Sequence, residues 1–182
     1  QMQQQAVHVG TEMVYDFITQ VDFSQRPFIC HGDSGTVYHA DSVIIATGAQ
    51  ARWLGLESED KYRGFGVSAC ATCDGFFFKD KKVAVVGGGN TAVEEALFLT
   101  NHASHVTLIH RRDQLRAEKI AQQRLLKHPK ISVIWDTVVE EILGKDVPYK
   151  AVTGRALFNQ KTCAKSHLEI DGVFVGIGDT PM

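Results

Sequence analysis

The sequence has little proline and cysteine, almost no net charge and no long hydrophobic run. It contains four Pro and four Cys in 182 residues, and its 19 basic and 21 acidic side chains give a net charge of -2. Four cysteines are too few for a disulfide-built scaffold of this size. The charge balance provides no basic field for nucleic acid, and no apolar run approaches the roughly 20 residues of a membrane helix. We therefore expect a soluble protein that binds neither nucleic acid nor membrane.

The N-terminus carries no recognisable signal peptide, so we predict a cytoplasmic protein. Because position 1 is Gln rather than Met, we also expect the true start of the protein to lie upstream.

Residues 1–48 are predicted to form an antiparallel meander followed by one buried strand. The predicted strands cover residues 12–18, 26–30 and 36–39, with turn-forming residues at 32–35. The apolar run at residues 42–47 ends at Gly48 and is typical of a strand buried on both faces. We place a domain boundary at residues 48–52.

The second half alternates predicted strands and helices. Strands are expected at residues 82–86, 105–109 and 131–135, and helices at 91–101 and 117–127, the second with Ile120, Leu125 and Leu126 facing inward. Short strands follow from residue 137 to 170, and a buried strand covers 172–178. This order predicts an α/β fold, a Rossmann-like NAD(P)-binding domain with a central parallel sheet plus a β-meander.

A glycine motif lies between the first of these strands and its helix. Gly87-Gly-Gly89-Asn90-Thr91-Ala92 fits G-x-G-x-x-A, whose glycines allow a tight turn and let a pyrophosphate approach the helix N-terminus. A second match at residues 64–69 follows a charged stretch and opens no predicted helix, so we reject it. The first match predicts a dinucleotide site.

The end of the next strand indicates which dinucleotide is bound. NAD-specific sites place a carboxylate there, but this sequence has His110, Arg111 and Arg112, with Arg116 one helical turn further on. Guanidinium groups suit a 2′-phosphate, so we predict NADPH. The alternative is a solvated basic helix start, and Asp113 could cap that helix.

Cysteine spacing points to redox chemistry. Cys70 and Cys73 form a Cys-x-x-Cys pair, which can hold a small disulfide whose sulfurs exchange with other thiols. Zinc is not expected, because neither Cys30 nor Cys163 forms a second such pair. Asp74 follows directly and is either a proton donor to a departing thiolate or a turn residue. Because nicotinamide transfers a hydride, a mediating flavin is expected between it and a disulfide.

These blocks, together with residues 44–49, resemble the low-molecular-weight, bacterial-type thioredoxin reductases over essentially the whole chain. The resemblance implies that NADPH reduces FAD, that FAD reduces the Cys70–Cys73 disulfide, and that this dithiol reduces thioredoxin. It implies a homodimer when full length, and a nucleotide domain that rotates about hinges near Gly48 and Gly178.

The resemblance also implies further residue roles. Ile177 and Gly178 join the NADPH site, and Ala46 and Thr47 are FAD contacts. Cys73 is expected nearer the flavin, leaving Cys70 to attack thioredoxin. The pair is expected to be oxidised, with Cys30 and Cys163 as free thiols.

The sequence departs from this family because only one credible glycine fingerprint is present. The chain is therefore expected to be an internal segment: part of the FAD domain at residues 1–48, the NADPH domain at 49–178, and the return to the FAD domain at 179–182. Alone it is expected to bind NADPH without turnover and to hold FAD weakly or not at all.

Three alternatives remain open. The flavoprotein subunit of alkyl hydroperoxide reductase would use NADH and lack the arginines, and a ferredoxin-NADP reductase would lack the dithiol. A non-catalytic NADPH-binding module is the third.

Overall fold

The computed structural model describes residues 2–182, which divide into two compact units with the boundary between Thr47 and Gly48. The first unit contains a short helix, which the sequence did not predict, and a three-stranded antiparallel sheet in the order β1-β2-β3. Its elements are α1 (Met2–His8), β1 (Ile18–Asp22), β2 (Phe28–Gly32) and β3 (Val37–Ala40). The predicted meander is confirmed, including the turn between β2 and β3, where Gly35 has φ +86°.

The first strand begins later than predicted, because Asp16 is engaged in the turn between β2 and β3. Its carboxylate accepts hydrogen bonds from the Ser34 hydroxyl (2.6 Å), the Tyr38 hydroxyl (2.8 Å) and the Ser34 amide (3.1 Å). These hydrogen bonds, that of the Ser34 hydroxyl above all, lower the pKa of Asp16. Residues 11–17 therefore run to this turn without regular structure.

The apolar run at residues 42–47 is not a buried strand, and that prediction was wrong. Residues 43–48 have no regular structure, and Ile44 and Ile45 are 91% and 69% exposed. A strand buried on both faces needs neighbouring strands and covering side chains, and no strand described in residues 2–182 pairs with this run.

The second unit is built on a five-stranded parallel sheet in the order β5-β12-β6-β7-β8, joined by a three-stranded meander, β11-β10-β9, and a ribbon, β13-β4. Its strands are β4 (Ala49–Ala51), β5 (Val67–Ser68), β6 (Lys82–Gly87), β7 (His105–Ile109), β8 (Ile131–Ile134), β9 (Thr137–Lys145), β10 (Ala151–Asn159), β11 (Lys165–Glu169), β12 (Gly172–Gly176) and β13 (Asp179–Pro181). Its helices are α2 (Glu57–Tyr62), α3 (Ala71–Asp74), α4 (Asn90–Leu99) and α5 (Lys119–Lys127). The predicted α/β fold with a central parallel sheet is confirmed.

Alternate residues of the central strands point into two separate cores. On β6, Val83 and Val85 pack with α4 and α5, whereas Ala84 and Val86 pack with the meander of β9 and β10. Both sets are buried, which explains why this strand reads as a continuous apolar run rather than as an alternation. The unit therefore has three layers, with α3, α4 and α5 on one face of the sheet and the meander together with α2 on the other.

Helix α5 contributes less to the core than predicted. Leu125 is fully buried, but Ile120 and Leu126 are 61% and 55% exposed. At 100° per residue these three positions point in different directions, so one face cannot bury them all. No helix among residues 2–182 has the length and apolar character needed to cross a membrane.

Candidate functional site

The glycine motif forms the turn between β6 and α4, as predicted. Gly87 ends β6 with φ +152°, in the region that favours glycine, and an added Cβ would lie 2.6 Å from Ala92 Cβ. Ala92 is fully buried, and its small side chain lets α4 lie close to β12. A Cβ added to Gly176 of β12 would lie only 2.9 Å from the Cα of Ala92. A Cβ on Gly89 would meet nothing within 4 Å, so the loop is open where it faces the start of α4.

His110 packs directly against the glycine loop. A Cβ on Gly88 would overlap the imidazole, so the middle residue of the motif must also be glycine here. His110 Nε2 lies 3.0 Å from the carbonyl of Gln114, and because a carbonyl only accepts, Nε2 carries the proton. Burial lowers the pKa of His110. His110 therefore lines the nucleotide cleft and orders its loop as a neutral side chain.

The chain after β7 is hydrogen-bonded to the same glycine loop. The amides of Arg116 and Ala117 donate to the Gly88 carbonyl, at 2.7 and 3.2 Å. This segment is irregular up to Glu118, so Arg116 lies in a loop and not one helical turn beyond Arg112 as predicted. Arg111 and Arg116 nevertheless line the cleft at the glycine loop.

This cleft has a volume of about 630 Å³ and lies at the carboxyl ends of β6, β7 and β12. It contains most of the predicted NADPH residues, namely Gly87, Gly89, Thr91, His110, Arg111, Arg116, Ile177 and Gly178. An open helix N-terminus and two guanidinium groups fit a dinucleotide with a 2′-phosphate.

Three predicted NADPH residues have other positions. Ala92 is buried beneath the turn, and Asn90 Oδ1 accepts a hydrogen bond from the Glu118 amide (2.8 Å) just before α5. Arg112 is exposed and is not among the residues that line the cleft. Asp113, expected to cap α5, instead forms an ion pair with Lys161 (3.0 Å), which lowers the pKa of Asp113.

The sequence analysis missed one wall of the cleft. It is formed by Arg52, Trp53 and Leu54 together with residues 137–139 of β9. The amide of Arg52 donates to the Gly178 carbonyl (2.9 Å), which brings this segment to the end of β12. No local motif marks it, because it lies more than 30 residues before the glycine loop.

The predicted disulfide between Cys70 and Cys73 is present, and Cys30 and Cys163 are free. Cys70 caps α3, with its Sγ accepting a hydrogen bond from the Cys73 amide (3.2 Å). Asp74 is the last residue of α3. Among the described residues that line the cleft, none belongs to this dithiol segment, so the cleft and the disulfide are separate features of one unit.

The two cysteines differ in their surroundings. Cys73 is exposed, whereas Cys70 is half-buried at the start of α3 and accepts the Cys73 amide hydrogen bond. Amide donors at a helix start favour a thiolate, which suits an attacking sulfur. The assignment of Cys70 as the attacking sulfur and of Cys73 as the sulfur nearer the flavin stays a prediction.

Glu95 on α4 contacts the dithiol helix and was not singled out from the sequence. Its Oε1 accepts a hydrogen bond from the Ala71 amide (3.2 Å), and its Oε2 is buried without a partner among the described residues. Burial raises the pKa of Glu95, and the charge of Asp179 acts in the same direction. The helix that opens at the glycine loop thus also supports the redox helix.

Ala46 and Thr47, the predicted flavin contacts, lie in the irregular, exposed segment of the first unit. Among residues 2–182, no group of three or more His, Cys, Asp or Glu side chains is placed to hold a metal ion.

A parallel sheet with a glycine-loop cleft and a Cys-x-x-Cys disulfide defines a nucleotide-dependent disulfide oxidoreductase. The family model "Pyridine nucleotide-disulphide oxidoreductase" matches residues 3–182, and the chain belongs to this family.

Several known proteins are similar to this chain. It is 62% identical to a thioredoxin reductase of Rickettsia bellii, and the match covers all of this chain and 58% of that protein. It is 52% identical to a glucosaminate ammonia-lyase of Pseudomonas fluorescens, covering 99% of this chain and 56% of that one. The crystal structure of Lactococcus lactis thioredoxin reductase aligns with a TM-score of 0.78 and 39% identity, covering all of this chain and 58% of that one. The chain thus spans less than two thirds of the relatives it matches.

Proposed function

We propose that the chain is the NADPH-binding, dithiol-bearing segment of a thioredoxin reductase of the bacterial type. The observation that carries this proposal is that one compact unit contains both the Cys70–Cys73 disulfide and a glycine-loop cleft with Arg111 and Arg116 beside the loop. The similarity to thioredoxin reductases over the whole chain supports it.

In the nucleotide cleft, each group has a distinct role. The amides at the start of α4 bind the pyrophosphate, and the open side of Gly89 lets it approach. Arg111 and Arg116 bind the 2′-phosphate that distinguishes NADPH from NADH. His110 holds the glycine loop in place through its contact with Gly88.

NADPH would supply a hydride, and a flavin would pass its two electrons to the disulfide. Because no dithiol residue lines the cleft, the nucleotide cannot reduce the disulfide directly. The hinge residues predicted near Gly48 and Gly178 both have positive φ, +83° and +97°, and they flank the β4–β13 ribbon. We propose that this ribbon connects the unit to the flavin domain.

Once the dithiol is reduced, thiol–disulfide exchange completes the reaction. The Cys70 thiolate attacks one sulfur of the thioredoxin disulfide, forming a mixed disulfide and releasing the other sulfur as a thiolate. The Cys73 thiolate then attacks Cys70 Sγ, which re-forms the Cys70–Cys73 bond and releases the second thioredoxin thiolate. Asp74, next to Cys73, is the proposed proton donor to the leaving sulfur.

The flavin belongs to the full-length protein, which we propose to be a cytoplasmic homodimer. The exposed Ile44 and Ile45 support a flavin domain in that protein, since its sheet would cover them. The isolated chain is then an NADPH-binding module without turnover. Arg111 and Arg116 disfavour an NADH-dependent peroxide reductase subunit, and the disulfide disfavours a ferredoxin reductase.

Trapping of a mixed disulfide tests both the reaction and the roles of the cysteines. In the full-length protein, Cys73→Ser should form a stable mixed disulfide with a thioredoxin that lacks its resolving cysteine, and Cys70→Ser should form little. Non-reducing electrophoresis and mass mapping would locate the bond. The reverse pattern would exchange the two roles, and trapping by neither variant would show that the dithiol does not serve thioredoxin.

A further inference from the structure

The cleft wall at residues 52–55 is held rigidly at both ends. At one end, the Arg52 amide donates to the Gly178 carbonyl (2.9 Å). At the other, the amides of Leu54 and Gly55 donate to the two carboxylate oxygens of Glu59, at 3.0 and 2.9 Å. Glu59 is only 1% exposed, so these hydrogen bonds are shielded from water. These hydrogen bonds therefore fix the backbone of the residue between them, residue 53.

This residue is Trp53, which lines the cleft and is half-buried. The guanidinium carbon of Arg63 lies 3.9 Å above the centre of its ring, and Arg63 also pairs with Asp60 on α2. This stacking fixes the orientation of the indole from one face. The indole also packs against the buried cluster that includes Val139 and Val175, so it is held in one orientation where it lines the cleft.

Trp53 lies at the β12 side of the cleft. In the sheet, β6 stands between β12 and β7, so the glycine loop separates the end of β12 from Arg111 and Arg116 after β7. A dinucleotide with its 2′-phosphate on the arginines and its pyrophosphate at the glycine loop extends its other half toward β12. The hydrogen bond to Gly178 places the Trp53 segment at that end.

We propose that Trp53 is a binding platform for the nicotinamide half of the dinucleotide, with the nicotinamide ring packed against the indole. This inference rests on the proposed nucleotide function and adds a residue that the glycine and arginine motifs do not include. An aromatic contact of this kind is expected to strengthen binding by about 5- to 10-fold. It contributes nothing to ligands that contain only the adenine half.

Tryptophan fluorescence tests the contact without any need for turnover. The chain has two tryptophans, and the Trp135 ring lies 6.3 Å from the His110 ring at the other side of the cleft. Trp135→Phe therefore leaves Trp53 as the only emitter. In this variant we expect saturable fluorescence quenching by NADP⁺, which does not absorb in the emission range, and by nicotinamide mononucleotide.

Titration calorimetry on the same chain measures whether Trp53 contributes to the affinity for the nicotinamide half or for the adenine half of the ligand. Trp53→Ala should bind NADP⁺ about 5- to 10-fold more weakly, with unchanged affinity for 2′,5′-ADP, and Trp53→Phe should retain most of the NADP⁺ affinity. Unchanged NADP⁺ affinity in Trp53→Ala, an equal loss for both ligands, or no quenching in Trp135→Phe would overturn the assignment. If the unmodified chain binds neither ligand, the proposed nucleotide function itself is wrong. If Trp53→Ala does not fold, the quenching experiment still decides.

Discussion

The three arginines after β7 are expected to differ sharply in their contribution to nucleotide binding. Arg111 and Arg116 line the cleft, whereas Arg112 is exposed outside it. A hydrogen bond to a charged group contributes roughly 1.5 to 3 kcal/mol. Because the two cleft arginines are themselves exposed to solvent, we expect the lower end of this range, about 1.5 kcal/mol each. That corresponds to roughly a tenfold loss of NADP⁺ affinity for either Arg111→Ala or Arg116→Ala.

Titration calorimetry with NADP⁺ and NAD⁺ at fixed, low ionic strength measures this difference. The unmodified chain should bind NADP⁺ far more tightly than NAD⁺. Arg111→Ala and Arg116→Ala should lose NADP⁺ affinity while their NAD⁺ affinity stays within about twofold, since only NADP⁺ has the 2′-phosphate. Arg112→Ala is the matched control, and its NADP⁺ affinity should also change by less than about twofold.

The double variant of Arg111 and Arg116 provides a further check. Both side chains are expected to bind one phosphate, so their effects need not add. A loss in Arg112→Ala as large as that in Arg111→Ala would refute the geometric reasoning. Equal affinity of the unmodified chain for the two nucleotides would refute the 2′-phosphate assignment altogether.

Two further predictions concern stability. Gly88→Ala would force a methyl group into the His110 ring and should destabilise the fold by about 1 to 3 kcal/mol in urea unfolding, whereas Gly89→Ala, with open space around its Cβ, should have a much smaller effect. Burial raises the pKa of Glu95 in the folded state, so the folded protein binds a proton on this carboxyl more tightly than the unfolded chain does. The stability that this protonation contributes is present at low pH and is lost as the pH rises through the folded-state pKa of Glu95. Glu95→Gln should therefore gain stability relative to the unmodified chain across that pH range, while Glu94→Gln, at an exposed position, should not; parallel pH profiles for the two variants would contradict this.

Short-range sequence patterns were sufficient for several features. The turn from β6 to α4 depends on glycines that are adjacent in the chain, and the Cys70–Cys73 disulfide joins residues on one short helix. The chemistry of each feature is local, because a tight turn or a Cys-x-x-Cys pair requires particular residues at fixed spacing. The parallel sheet could likewise be predicted from alternating apolar runs and amphipathic helices.

Other features depended on neighbours that are distant in the sequence. Residues 42–47 have the composition of a buried strand, yet Ile44 and Ile45 are exposed because no described strand covers them. Composition indicates that a segment can be buried, but burial itself requires partners from elsewhere in the chain. Ile120 and Leu126 were also wrongly assigned to the core, but there the reason is local, because helix geometry does not place them on the same face as Leu125.

At the nucleotide cleft, the sequence determined the types of group and the tertiary structure decided which of them meet. The run from His110 to Arg116 indicated a phosphate site, but only the path of the loop, bonded to the Gly88 carbonyl, brings Arg111 and Arg116 into the cleft and leaves Arg112 outside. Trp53 had no sequence signal at all, since its position depends on a hydrogen bond between residues 52 and 178. Contacts between distant parts of a chain form only when the sheet brings strand ends together, so they cannot be predicted from local spacing.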